Sequence, residues 1–412
     1  MSGWTRRLFG ELISETKDGD WGQEGAAEGF APFHVIRGTD FEDVRRGNIS
    51  AVPLRHLPER TVWRRRLQPG DLLLETAGGS RGRSTGRSML VDQRVMDLFP
   101  ASVTCASFAR FLRVDSGIAD SRFVYWFLQQ LHMSGAMWNH QVQHTGVARF
   151  QYTRFAEVQD VLLPPLDEQQ AIAEVLGALD DKIALNERIR HTALSLAGAC
   201  YESVGTGNEP EVLGDLAELF DGPHATPHKT PTGPWFLSIS SLKSGYLDLA
   251  ESAHLSEEDF PRWTRRVQPQ GGDVLFSYET RLGDAALMPP GVRGSLGRRM
   301  ALLRSKSAAV SGPLLLHAYL APVFQEEIKR RTIHGATVDR LPLKEMPGWR
   351  ISLPAEGERE RLSEKLEALH TTVMQTADEN RTLADLRDTL LPQLITGKLR
   401  VKDATRVVEE AV

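Results

Sequence analysis

The sequence predicts an α+β protein: two mixed α/β domains joined by two long antiparallel coiled-coil helices, a pseudo-twofold tandem repeat. Three observations predict it. After Leu163-Pro164-Pro165-Leu166 comes a run with apolar residues at helical spacing: Ile172, Leu176, Leu179, Ile183, then Asn186, Arg190, Ala193, Ala197 and Cys200. A second seam runs Leu362, Leu366, Leu369, Val373, Thr376, Asn380, Leu383, Arg387, Leu390, each residue 190 after its counterpart. Ahead of each helix, a turn and a buried strand recur, Gly70-Asp71-Leu72-Leu73-Leu74 and Gly272-Asp273-Val274-Leu275-Phe276. A repeat this long indicates twofold design, not a solenoid.

Taken in order, residues 1–162 form the first domain. Phe33–Ile36 reads as a short strand running into the turn Arg37–Asp40. The strand at 72–74 runs into a glycine-rich loop, residues 75–87, carrying Arg81, Arg83 and Arg87; with little to pack, it faces solvent. Val103–Phe111 reads as one strand and Ser121–Leu131 as an aromatic-rich helix. Residues 163–205 are the first spacer helix. The prolines fix an extended entry, and Asp167 and Glu168 suit its positive N-terminal end.

Residues 206–352 repeat the plan. Trp235–Ile239 is a strand, and Leu314–Arg330 reads as one helix. The loop after the second central strand, Ser277–Gly283, differs from its counterpart and carries Tyr278 and Arg281. Glu75 and Glu279 read as exposed loop acids. Residues 353–400 are the second spacer helix, and 401–412 a polar tail expected to be disordered. The seams predict that Leu176, Leu179 and Ile183 pack near Leu366, Leu369 and Val373 in antiparallel order. Asn186 and Asn380, where leucine would be more stabilising, set register at a cost in stability.

Composition is that of an ordinary globular chain, 41% hydrophobic and 25% charged. There is no apolar run of the roughly 18–20 residues that cross a bilayer and no signal-peptide core near Trp4. Cys105 and Cys200 lack metal-ligand spacing, so a reducing cytoplasm is the expected compartment. The net charge is −5, but residues 166–204 and 355–392 each hold −4. Setting those helices aside leaves +3, with clusters at Arg64–Arg66, Arg265-Arg266 and Arg298-Arg299, which permits nucleic-acid binding. Residues 78–83 lack phosphate-loop order. Pro223 and Pro227 break any helix that would bring His224 and His228 together on a metal, and the pair His140/His144 reads as structural. No catalytic constellation stands out.

The stretch LPPLDEQQAIAEVLGALDDKIALNERI and the closing LLPQLITGKLRV resemble the central and terminal regions of the specificity subunits of type I restriction–modification systems. VIRGTDF (35–41), GDLLLETAGGS (70–80) with TGR (85–87), LGDLAELFDGPHATP (213–227) and GDVLFSYETRLGDAAL (272–287) are similar to that family's target-recognition domains. The second junction departs from the pattern, with Leu353-Pro354-Ala355-Glu356 in place of the double proline. The resemblance implies a non-catalytic, DNA-binding subunit. Its two domains each read half of a split site, and its helices set the gap. Two methyltransferase subunits and motor-nuclease subunits would be its partners. It implies no cofactor in this chain, with S-adenosylmethionine, ATP and magnesium in the partners. Arg81, Arg83 and Arg87 in the first domain, and Tyr278 and Arg281 in the second, are the candidate DNA-binding residues. A coiled-coil scaffold that never touches DNA is the alternative; it accounts for the helices but not for the paired arginine-bearing loops.

Overall fold

The computed structural model of the chain describes residues 3–78, 84–143, 146–207 and 209–411. The chain divides into two compact units, Met1–Ala184 with Leu383–Val412, and Leu185–Thr382. The division passes through both long helices, so each unit holds one globular domain and a segment of each helix.

In the first unit the apolar run at 72–74 has no polar face, and the strand Asp71–Glu75 is buried throughout. It pairs antiparallel with Ser88–Val91 on one side and Ala109–Val114 on the other, and Ile13–Asp18 pairs beyond the latter. A second sheet centres on Phe30–Ile36, antiparallel to Leu54–Pro58 and parallel to Val103–Cys105. The stretch read as one strand over 103–111 is therefore two. A turn in which the Ala109 amide donates to the Ala106 carbonyl at 2.8 Å redirects the chain from one sheet to the other. The helix Ser121–Met133 is capped by Asp120, whose carboxylate accepts from the Arg122 and Phe123 amides.

The second unit has the same plan. Val274–Ser277 pairs antiparallel with Ala285–Leu287 and Met300–Ser305, and Ala217–Asp221 pairs beyond the latter. Thr230–Phe236 lies antiparallel to Ala253–His254 and parallel to Gly294–Ser295. The helix expected over 314–330 is two, Gly312–Leu320 and Pro322–Arg331. Pro322 has no amide hydrogen to continue the first and pushes Ala321 into extended backbone.

Each domain has the same fastening at the start of its central strand. Gly70 and Gly272 take φ of +93° and +90°, where glycine is the residue of low cost. Asp71 and Asp273, both buried, follow them. Asp71 accepts two hydrogen bonds from Arg113, both 2.9 Å, and one from the Gln68 amide. Asp273 accepts from Arg304 at 2.8 and 2.6 Å and from the Gln270 amide. These hydrogen bonds hold each guanidinium's pKa above its ordinary value.

The long helices run Leu166–Val204 and Glu356–Ile395, the second continuing through Pro392. Gln169 fastens the first. Its amide donates to the Pro164 carbonyl at 2.8 Å and its oxygen accepts from the Asp120 amide. In the second, Arg359 stands 190 residues later, donating to the Pro354 carbonyl at 2.8 Å and pairing with Glu211. In the first unit Ile172, Leu176 and Leu179 share a core with Leu383, Leu390 and Leu394. In the second, Ala197 and Tyr201 share one with Leu362 and Leu366. The helices are thus antiparallel within each unit, but the partners expected for Leu176 and Leu179 are corrected. In an antiparallel pair the start of one helix meets the end of the other, so a residue does not face its own repeat counterpart. Two polar contacts mark the register: Arg387 donates to Asp180 at 2.7 Å, and Asn186 to Glu379 at 2.7 Å.

The C-terminal stretch is not a disordered tail. Val401–Ala411 is a helix whose Ala404, Val401 and Val408 pack on the first unit's core. Its apolar residues fall on one face, a pattern that a mean hydropathy over the stretch conceals.

In the second unit, His317 and the long-helix residue His370 are buried against each other with their Nε2 atoms 2.9 Å apart. Only one of them can donate across the contact, so at least one ring is neutral. Burial lowers both pKa values, His317 to about 3, with His370 as a further cause, and His370 to about 4. The unfolded chain takes up protons near pH 6.5, so stability present above that pH falls as the pH drops towards 4. Between pH 7 and 5 the second unit is expected to lose about 2 kcal/mol per histidine. The double variant H317Q/H370Q should lose correspondingly less over that interval. Denaturant midpoints at the two pH values check this, and equal losses in parent and variant would refute it.

Candidate nucleic-acid interface

The loop after each central strand was the expected site of DNA contact. In the first unit its borders are tightly held. Glu75, at the end of the strand, is buried, not an exposed loop acid. It takes a bidentate ion pair from Arg87, at 2.6 and 3.1 Å, which raises the guanidinium's pKa. A Cβ on Gly38 or Gly78 would come within 2.8 or 2.5 Å of the Glu75 Oε1, so small residues on both sides make room for this carboxylate. Thr85 hydroxyl donates to the Glu75 carbonyl and the Thr85 amide to the Gln141 side chain. Arg87 is therefore a fastening of the loop's base. Arg81 and Arg83 lie outside the described residues, as does His144. His140 is packed edge-on against Phe155, 5.0 Å between centroids, and burial lowers its pKa.

In the second unit the equivalent loop is folded over a small polar network. Tyr278 is buried, and burial pushes its hydroxyl up to about 12. That hydroxyl lies 3.4 Å from the His224 Nδ1, and an Arg299 nitrogen lies 3.3 Å from the same atom. The other His224 nitrogen is 3.1 Å from Asp221. Both neighbours of Nδ1 can donate, so the geometry suits a histidine that accepts there and donates to Asp221. Glu279, expected as an exposed loop acid, is instead half-buried and ion-paired with Arg299 at 3.1 Å, while Thr280 beside it is exposed. Thr280 and Arg299 each take φ of +67°, unusual for residues with a side chain. Arg281 is partly engaged, donating to the Leu242 carbonyl at 3.1 Å and pairing with Asp284 at 2.5 Å, while 42% of its side chain stays accessible.

Beside this network opens a cleft of about 810 Å³, lined by the loop Asp221–His228 together with Arg262, Trp263, Arg265 and Arg266. Sequence reasoning noted the histidines and the arginine pair separately. Only the fold brings them to one wall, because Asp221 ends a strand of the first sheet while Arg266 leads towards the central one. Of the candidate residues in this loop, Tyr278 is buried beside His224, while Arg281 turns to the Leu242 carbonyl and Asp284 with part of its side chain accessible. Among the described residues no helix is long and apolar enough to cross a membrane.

Comparison with known proteins adds a family match over part of the chain and a fold. Residues 80–193 match the type I restriction modification DNA specificity domain. The chain is similar to the crystal structure of a type I restriction-modification system S subunit from M. genitalium, at 15% identity and a TM-score of 0.57, over 95% of this chain and 96% of that one. A structure of the type I R-M system aligns at 17% identity and a TM-score of 0.41, over 97% of this chain and 99% of that one. The HsdS subunit from Thermoanaerobacter tengcongensis aligns at 17% and 0.36, over 97% and 98%. A search of curated protein sequences finds no match. The chain has the fold of the M. genitalium S subunit, and its matched residues carry the specificity-domain family's pattern.

Proposed function

We propose that this chain, with the S-subunit fold and a type I specificity domain, is the DNA-reading subunit of a type I restriction–modification complex. It reads a two-part site, one half with each domain, and positions methyltransferase and motor-nuclease subunits. The observation that carries the reading is the duplicated framework. Two domains share strand order, pairing sense and the Gly-Asp fastening, yet differ in the loop that follows the central strand. Two readers of the same build with different exposed loops suit two different half-sites.

Arg81, Arg83 and Arg281 approach DNA in this reading, while Arg87 and Tyr278 hold the loops in shape from beneath. The chain contributes no chemistry of its own. S-adenosylmethionine, ATP and magnesium act in the partner subunits, and the setting is the cytoplasm.

The test uses the purified full chain with duplex DNA over a potassium chloride series. Binding should weaken steeply and linearly in a log–log plot as counterions are re-taken by the DNA. With S-adenosylmethionine, ATP and magnesium supplied, the chain alone should neither methylate nor cut. A protein that binds no DNA at low salt is a scaffold of the alternative kind. Turnover that survives rigorous purification would make it an enzyme.

A further inference from the structure

A second basic element recurs in both domains, on a segment separate in sequence from the loops after the central strands. The sequence W-x-R-R-[Leu/Val]-Q-P stands at Trp63–Pro69 and again 200 residues on at Trp263–Pro269, each time leading into the Gly-Asp turn. The two copies share their tryptophan packing and one held carbonyl, while their arginines stand at different positions of the motif. Trp63 packs edge-on against Phe33 of the strand Phe30–Ile36, with centroids 5.9 Å apart at 70°. Trp263 packs edge-on against Phe236 of the matching strand, 6.0 Å apart at 73°. The Arg304 guanidinium that is bound to Asp273 also donates to the Gln268 carbonyl at 3.0 Å, and Arg113 reaches the Arg66 carbonyl at 3.5 Å.

One arginine in each copy ties the segment to the strand that edges the first sheet. Arg65 donates to the Asp18 carbonyl at 3.1 Å and lies 3.4 Å from the Asp20 carboxylate. Arg266 donates to the Gly222 carbonyl at 3.3 Å and lies 3.5 Å from the Asp221 carboxylate. The other arginines stay on the surface: Arg64 and Arg66 in the first unit, Arg262 and Arg265 in the second. Arg66 lies over the Trp63 ring at 5.7 Å, and Arg262 and Arg265 front the cleft. The cleft is also lined by Asp221 and Asp259, so its cationic character rests on Arg262, Arg265 and Arg266 outnumbering two acids, with Arg266 paired to Asp221.

Resting on the reading proposed above, we infer that these paired segments are phosphate clamps, one for each half-site. Arg64 and Arg66, and Arg262 and Arg265, grip the DNA backbone, while the loops after the central strands read bases. A contact to phosphate needs a fixed cation but no sequence-dependent shape. A segment that keeps the tryptophan contact, one tethered arginine and two exposed ones in both domains suits it, even though those arginines stand at different positions of the motif, just as a loop that differs between the domains suits base reading. The held parts are the tryptophan in edge contact with its phenylalanine, though Trp63 is itself mostly exposed, the tethered arginine and the held carbonyl. They fix where the free guanidinium groups stand, so less order is lost on binding.

The experiment measures binding of the full chain to duplex DNA across a potassium chloride series for the parent, R64Q/R66Q and R262Q/R265Q. Methylated sites are mapped in cells for each chain expressed with its modification partner. Each double variant should flatten the log–log salt slope by about 1.8, two contacts at about 0.9 each, and weaken all sequences by the same factor. The sites still methylated should keep the parental sequence. R64K/R66K and R262K/R265K keep the charge and should restore the slope, which guards against a variant that merely folds poorly. Unchanged slopes in a parent that binds DNA would overturn the clamps and leave the proposed function standing. A change of recognised sequence confined to one half-site would overturn them too, since it would make these arginines base readers. A parent chain without salt-dependent binding would overturn both readings.

Discussion

Inserting one heptad into each long helix, between Ala184 and Leu185 and between Thr382 and Leu383, is expected to widen the gap of the recognised site by about three base pairs. The half-site sequences should stay unchanged. The insertion points are the positions in each helix at which the chain passes from one unit to the other. Seven residues add about 10.5 Å at 1.5 Å per residue, which matches about three base pairs at about 3.4 Å. They turn the helix by almost whole turns, missing by about 20°, so the apolar seam continues on the same face. Within each unit Leu176 should keep its place in the core with Leu390, and Ala197 with Leu366. The DNA behaves differently, because three base pairs of a duplex with about ten per turn rotate the second half-site by about 100°. Something must absorb that twist, so affinity should fall even as the gap widens. Mapping methylated adenines for the lengthened chain expressed with its partner reads the gap directly, and a footprint of the chain alone reads it without the partner. An active complex whose gap stays at the parental length would mean that something other than the helices sets it.

Asp273→Ala should destabilise the second unit by about 3 kcal/mol, the low end for breaking a buried ion pair. The carboxylate is almost wholly buried, while the Arg304 side chain keeps 28% of its surface accessible. Water can therefore take back part of the guanidinium's lost interaction. The rest of the cost falls on the turn, where the Gln270 amide loses its acceptor. Asp71→Ala should do the same to the first unit, because Arg113 and the Gln68 amide are held in the same way. Asp273→Asn retains an acceptor for the amide and should cost less than alanine. Thermal and denaturant unfolding of the three variants beside the parent give the ranking. An alanine variant within about 0.5 kcal/mol of the parent, the range of ordinary surface changes, would show that the pair adds no net stability. Either aspartate variant should also loosen the adjoining W-x-R-R segment, since Arg304 holds its Gln268 carbonyl.

The sequence by itself determined the duplication, the two helical seams and the central strand of each domain. These are local or periodic features: a spacing of 190, apolar residues at intervals of three and four, and an apolar run behind a Gly-Asp turn. Ile172, Leu176, Asn186 and Leu366 are buried as their spacing requires. Tertiary structure alone decided which seam residues meet. Periodicity names a face, but register comes from contacts such as Asp180 with Arg387, 207 positions apart. Tertiary structure also split 103–111 between two sheets, and it ordered the C-terminal helix by giving Ala404 a core to enter. The site was least legible. Arg87 and Tyr278 sit in loops rich in polar residues and look exposed in one dimension. Yet Glu75 and His224, brought in by the fold, turn them inward. A charge read from sequence has no partner until the chain folds, and the fold decides whether it faces the solvent or another charge.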